Sequence, residues 1–278
     1  MTRPRLLGLC ALSVLAFAAN SLLTRRALGA GLAGAAAFTS LRLLSGAAVL
    51  VPLAWRRPRA AQTAGWLSAL ALFLYAAPFS FAYLRLRAGT GSLLLFGSVQ
   101  ATMFAAGLVR GERPPLRTWA GFAIAIGGLL ILVAPGLEAP QPLAALSMIA
   151  AGMAWGWYSL RGRQSKDGIA ASADAFARCA PAAGALWLLA PAEAPLTQPG
   201  ALLAVASGAL ASGLGYSLWN TALPHLTRST AAVLQLAAPA LAAAGGVLLL
   251  GEPASLRLLA GAVAILGGVA LAVLSRQK

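Results

Sequence analysis

The chain is poor in acid. Only six of its 278 residues are Asp or Glu and one is His, against 21 Lys and Arg. Hydrolysis and group transfer need a nucleophile or a paired acid and base. The one histidine, His225, lies at the end of an apolar run, and no Gly-x-Ser-x-Gly, His-Glu-x-x-His or paired-carboxylate pattern appears. A P-loop for ATP is absent too. Catalytic residues, cofactors and a metal site are therefore not expected. Both cysteines, Cys10 and Cys179, sit inside apolar runs, which leaves no disulfide framework to read. Charged residues make up only 10%, too few to cover a soluble globule. The net charge of +15 would suit a nucleic-acid binder if the basic residues clustered. They fall instead in the short breaks between apolar runs, so the expected surroundings are a lipid bilayer and not nucleic acid.

What the chain has is apolar length. Residues of the hydrophobic type make up 60%, in continuous Leu/Ala/Gly-rich runs of about 18–22 residues, enough to span a bilayer as helix. Membrane strands would alternate instead. Ten spans are read, at 6–23, 35–54, 65–84, 89–109, 118–136, 143–160, 172–191, 201–223, 229–250 and 256–274. The first has the basic start and apolar core of a signal peptide. It also resembles a later span, so it is read as retained. Basic residues then orient the chain. The side with both termini carries fourteen: Arg3, Arg5, Arg56, Arg57, Arg59, Arg110, Arg113, Arg117, Arg161, Arg163, Lys166, Arg228, Arg276 and Lys278. The other side carries five: Arg25, Arg26, Arg85, Arg87 and Arg257. Both termini are expected in the cytoplasm of a multi-pass inner-membrane protein.

The sequence also repeats itself. GERPPLRTWAGFAIAIGG, from Gly111, aligns without gaps on GEPASLRLLAGAVAILGG, from Gly251. With small gaps the likeness extends back: Phe17, Asn20 and Ser21 match Trp155, Tyr158 and Ser159, and Phe38 to Arg42 matches Asp174 to Arg178. Residues 1–137 and 138–278 are thus two copies of five spans each, within one bundle. Five is odd, so the second copy enters the membrane from the opposite side, an inverted repeat. At each Gly-Glu, glycine is expected to end a helix in the left-handed conformation, and the glutamate and Pro114 or Pro253 to start the next. Gly121/Gly128 and Gly261/Gly268 lie two turns apart on one face, where helices can approach closely.

Two five-helix halves, each ending in an apolar run, Gly-Glu and a Gly-Gly helix, resemble the EamA branch of the drug/metabolite transporter superfamily. The likeness covers essentially the whole chain and is strongest through GYSLWNTALPHLTRSTAAVLQLAAPALAAAGGVLLLGE. It implies an all-α integral membrane exporter of ten transmembrane helices with cytoplasmic termini. Its central site would lie between the halves, formed mainly by spans 1, 3, 4, 6, 8 and 9. Val99 stands where Pro239 stands in the ninth span, so a proline break is clear in one half only.

Polar and aromatic residues inside the spans are few. Tyr216, Trp219 and Asn220 share one helix face by their i, i+3, i+4 spacing, as do Tyr75, Pro78 and Phe79, and Trp155, Tyr158 and Ser159. Phe17, Asn20 and Ser21 are the repeat partners of the last set. Gln100, Met103 and Gln235 add amides and a flexible sulfur, and Pro239 frees the Gln235 carbonyl. Intramembrane polar groups usually face a cavity, which makes this set the expected lining for a small-molecule substrate. Trp157 and Tyr83 are read as packing or interfacial aromatics. Arg42 snorkels or pairs, and Arg178 can pair with Asp174 one turn away. The lining so read has aromatic faces and neutral hydrogen-bonding groups. A cationic drug would find no carboxylate there, whereas a net-neutral zwitterion would suit it. The expected function is export of small metabolites, foremost amino acids including aromatic ones, by alternating access. Export of nucleosides, sugars or drug-like solutes, a membrane enzyme with an unrecognised site, and a non-transporting subunit remain as alternatives. The sequence does not set the oligomeric state, and a monomer is compatible with it.

Overall fold

An apolar run in lipid must satisfy its own backbone donors and acceptors, which a helix does locally. The computed structural model describes residues 2–55, 57, 65–109, 111, 113, 115–134, 139–190, 194–226, 231 and 234–274, and there is no strand among them. Its helices are α1 (Arg3–Gly29), α2 (Ala35–Ala54), α3 (Gly65–Tyr83), α4 (Ala88–Val109), α5 (Leu116–Val133), α6 (Pro142–Gly162) and α7 (Gly168–Leu189). There follow α8 (Gln198–His225), α9 (Ala237–Leu250) and α10 (Leu256–Leu274). Among the described residues six helices, α1 to α4, α6 and α8, are long and apolar enough to cross a membrane. Leucines such as Leu7, Leu188, Leu248 and Leu256 face outward, as lipid-contacting side chains would.

Helix starts follow local chemistry. The Asp167 side chain accepts the N–H groups of Ile169 and Ala170 at the start of α7, and Thr197 accepts that of Gly200 at the start of α8. Prolines stand in the first turns of α1, α6 and α8, where a missing N–H costs nothing. Helix α1 runs 27 residues, past the expected end at 23, because Arg25 and Arg26 stay helical. In the ninth span a turn at Leu236 precedes α9, while α4 runs unbroken through Val99. Pro239 falls in the first turn of α9. Residues 229, 230, 232 and 233 of that span lie outside the described residues, as do Glu112 and Pro114.

Gly251 adopts φ +66° and Gly111 φ +80°, the expected left-handed helix ends. At the first, the Gly251 and Glu252 N–H groups both return to the Gly246 carbonyl, the latter at 3.0 Å, and close the end of α9. The expectation that Glu252 and Pro253 start the following helix is corrected. Helix α10 begins only at Leu256, with Ser255 accepting the Leu258 N–H, and the Glu252 side chain folds back. It accepts the Ala88 N–H at the start of α4 (2.8 and 3.0 Å) and pairs with Arg25 of α1 at 3.0 Å. The helix N-terminus it satisfies is thus a different one from the next in sequence.

The bundle is knitted across the chain's midpoint. Helix α1 packs on α8 and α9, and α6 packs on α3 and α4. Helix α2 lies on α7 and α8, α3 lies on α7, α4 meets α9, and α5 runs along α10. The α5–α10 contact rests on the expected glycines. A Cβ on Gly268 would stand 2.5 Å from the Gly121 carbonyl oxygen, and one on Gly128 would stand 2.9 Å from the Ile265 nitrogen.

Candidate functional site

The four helices α1, α3, α6 and α8 bring their aromatic faces to one point. Trp155 is the hub: its ring centroid lies 4.5 Å from Tyr216, 4.9 Å from Tyr75, 5.3 Å from Tyr158 and 5.7 Å from Phe17. Phe17 also touches Trp219 at 5.6 Å, and Phe79 touches Tyr75 at 5.2 Å. The i, i+3, i+4 spacing is what aims these rings inward together. All seven are at most 4% exposed.

A hydrogen-bonded core threads the rings. Asn20 donates to the Tyr75 hydroxyl at 3.0 Å and to that of Tyr216 at 3.4 Å, and the two hydroxyls lie 2.8 Å apart. The Asn20 side-chain oxygen accepts from Ser207 at 2.8 Å and from Ser212 at 3.4 Å. Those serines are five residues apart, which on an α-helix would separate them by about 140°. Residues Ala206–Leu214 of α8 are instead wound as π-helix, whose i→i+5 bonding sets both on one face. Gly208 lets this segment press against α2: a Cβ there would stand 2.1 Å from the Arg42 carbonyl oxygen.

Arg42 completes the core, and it corrects the expected neutral lining. It does not snorkel; it is 1% exposed, with Nε donating to Ser212 at 2.8 Å and Nη2 to Tyr75 at 3.0 Å and Tyr216 at 2.7 Å. The guanidinium also lies over the Tyr75 and Phe79 rings, 5.2 and 4.9 Å from their centroids. Its repeat counterpart Arg178 behaves differently, pairing with Asp174 as expected at 2.8 Å. Phe38 takes the place of that aspartate one turn before Arg42, so Arg42 finds its partners across the bundle. Ser207, Ser212 and Ser172 are the other site residues the sequence reading left out.

Asn220 donates to Ser172 at 3.0 Å and to Tyr158 at 3.4 Å. Tyr158 and Asn220 form the inner wall of a recess of about 210 Å³ whose mouth carries Arg161, Gln164 and Ser165. Arg161 donates to Ser68 at the start of α3, whereas Arg25 donates to Tyr83 at its far end. The recess and the Arg25–Glu252 pair are therefore at opposite ends of the bundle. Arg57 and Asp167 join α2's exit to α7's entry at the recess end. Burial pushes the Asp167 carboxyl up, but the Arg57 hydrogen bond and the Ala170 and Ile169 N–H groups outweigh it and hold it below the usual carboxylate value.

The remaining expected residues are placed less tightly. Ser21, Ser159, Gln100 and Gln235 are buried, and Met103 is half-buried against the core. The Ser159 hydroxyl, the Gln100 nitrogen, both Gln235 amide atoms and the indole nitrogens of Trp155 and Trp219 have no hydrogen-bond partner among the described residues. No ring contact or hydrogen bond ties Gln100, Met103 or Gln235 to the cluster among the described residues. Tyr83, read as packing, is buried edge-on against Phe79 at 4.8 Å.

Comparison with known proteins agrees with this architecture. A model of the EamA-like transporter family matches twice, over residues 5–134 and 142–274. An uncharacterized protein of Pseudomonas aeruginosa, PA1977, is 50% identical over 274 residues, covering 98% of this chain and 96% of that protein. A solved structure, described as "Crystal structure of protein", shares the fold with a TM-score of 0.70 at 20% identity over 99% of both chains.

Proposed function

The chain belongs to the EamA-like transporter family, and from that premise we propose that it is an inner-membrane secondary transporter exporting small metabolites, foremost amino acids including aromatic ones. One observation carries the reading. The polar and aromatic faces of helices from both halves meet in a closed cluster where, among the described residues, the buried indole nitrogens of Trp155 and Trp219 find no hydrogen-bond partner. Unsatisfied buried donors are uncommon in a purely structural core, and a bound solute supplies their missing acceptors. Membership of a transporter family favours this over a membrane enzyme or a silent subunit.

The ten-span, inverted-repeat reading is supported by the two family matches and by the packing. Exchanging the first five helices with the last five turns the α1–α8 contact into α6–α3, α1–α9 into α6–α4, and α2–α8 into α7–α3. Two such halves rock about a shared midplane site in alternating access. In this conformation the recess gives on to the cluster at the Arg161 end, and the Arg25–Glu252 pair ties the other end. The charge count supports a cytoplasmic recess, as an exporter needs for loading. An impermeant thiol reagent added outside intact cells should therefore leave Gln164→Cys unmodified; modification from outside would reverse the orientation.

Energy coupling is absent in this proposal. Proton antiport commonly uses an intramembrane carboxylate, and Asp174, the one acid within an expected span, is occupied by Arg178 and by the Gly65 N–H at 3.0 Å. Export runs down the solute's own gradient.

Competition for flux in proteoliposomes, with Trp155→Ala beside Trp219→Ala, tests the aromatic wall. Stacking is worth about 0.5–1.5 kcal/mol per ring pair. Trp155 touches four rings of the cluster, so its loss should erode the preference for phenylalanine over threonine more than loss of Trp219. Unchanged selectivity among phenylalanine, threonine and a nucleoside in both variants would make the wall mere packing and sink the substrate reading.

A further inference from the structure

We propose that Arg42 is the anion-recognition residue of the central cluster, and that the solute it takes carries a single carboxylate. This names the charged end of the solute and rests on the transport reading for what happens after binding.

A buried guanidinium ordinarily has a carboxylate beside it, because removing the charge from water without one is costly. None reaches Arg42 among the described residues. The chain's three described acids are engaged elsewhere: Glu252 by Arg25, Asp167 by Arg57 and Asp174 by Arg178. The other three, Glu112, Glu138 and Glu193, stand in the breaks between apolar runs of the sequence. What Arg42 has instead is neutral: three hydroxyl acceptors and two ring faces. Of its five N–H donors, the two on Nη1 are buried and have no partner among the described residues. Adjacent guanidinium donors in one plane match the two oxygens of a carboxylate.

The surroundings are consistent with an exchange of partners. The Tyr75 and Tyr216 hydroxyls bond to each other as well as to Nη2, so they can keep one partner while an incoming oxygen takes the other. The approach is short. Tyr158 on the recess wall stacks on Trp155, whose ring lies against both tyrosines. One cation among apolar rings neutralises one anion, which selects a monocarboxylate and rejects a cation.

The competing picture is a purely structural arginine pinning α2 to α3 and α8. Three solutes with the same ring and a two-carbon link separate the two: hydrocinnamate (acid only), phenethylamine (amine only) and L-phenylalanine (both). Binding to the purified full-length protein is followed by thermal shift and by tryptophan fluorescence. Hydrocinnamate and phenylalanine should bind and phenethylamine should not. Arg42→Gln should weaken the acids by about 10–100-fold, the worth of a charge-assisted contact, and Arg42→Lys should recover part of the loss. If Arg42→Gln does not fold, the comparison of acid with amine on the unaltered protein decides alone. Phenethylamine binding as tightly as hydrocinnamate, no binding of either acid, or an acid preference untouched by Arg42→Gln would each overturn the proposal. Acid-selective binding without flux in liposomes would sink the transport reading and leave Arg42 in its role. Flux of phenethylamine without preference for acids would do the reverse.

Discussion

The Glu252 carboxylate serves two groups at once, capping the first turn of α4 and pairing with Arg25, from a backbone position just past the glycine that ends α9. Arg25 in turn holds the last carbonyl of α3. Three helices, α1, α3 and α4, therefore depend on one charge. Replacing it by Glu252→Gln keeps the shape and removes the ion pair, at a cost of about 1–3 kcal/mol for a partly buried charge-assisted contact. Thermal unfolding in detergent should show the loss, and adding Arg25→Gln to Glu252→Gln should lower the midpoint little further. Additive losses would mean the two side chains act separately. The aromatic residues were legible in sequence because i, i+3, i+4 spacing alone fixes a shared face. Arg42 was not, since nothing local says which way a lone intramembrane arginine turns. The clue lay in the comparison of repeats, with Phe38 standing where Arg178 has its aspartate partner.

Among the elements, the π-wound stretch of α8 decides the site and was invisible to a reading in periods of 3.6. Its nine residues, Ala206–Leu214, are small and polar enough to be read as ordinary span. The local widening places Ser207 and Ser212 on Asn20 and seats Gly208 on the α2 backbone. Gly208→Ala puts a methyl group against a backbone carbonyl that cannot step aside, so α2 and α8 must part. A loss of about 1–3 kcal/mol, the usual cost of overpacking, is expected together with loss of transport. Gly127→Ala is the matched control: nothing lies within 4 Å of its Cβ, and alanine is the better helix former. It should be neutral or slightly stabilising in the same thermal assay. Equal effects of the two substitutions would mean that the α2–α8 crossing has no special tightness. The spacing of Gly121, Gly128, Gly261 and Gly268 marked two faces fit for close approach, because a close crossing requires small residues at fixed intervals, and the structure sets those two faces against each other.

For the whole molecule, the proposed transport cycle moves the two halves against each other around the cluster. The all-helical membrane class and the family could be read from apolar length, basic breaks and the Gly-Glu pattern. Which helices cross between halves could not, since packing partners depend on tertiary contacts and not on local pattern. Arg25 and Glu252 lie in opposite halves and touch at 3.0 Å, which makes them the natural place to tie the halves together. The decisive measurement is flux of labelled L-phenylalanine by purified protein in liposomes, in a variant with Arg25→Cys, Glu252→Cys and Cys10 and Cys179 replaced by alanine. A reducible thiol cross-linker joins the new pair. Saturable flux should be present before cross-linking, vanish when the halves are tied, and return on reduction, with the thermal midpoint of the tied form no lower than that of the free form. Undiminished flux in fully cross-linked protein would contradict motion of the halves, and the absence of saturable flux in the unmodified protein would contradict transport itself.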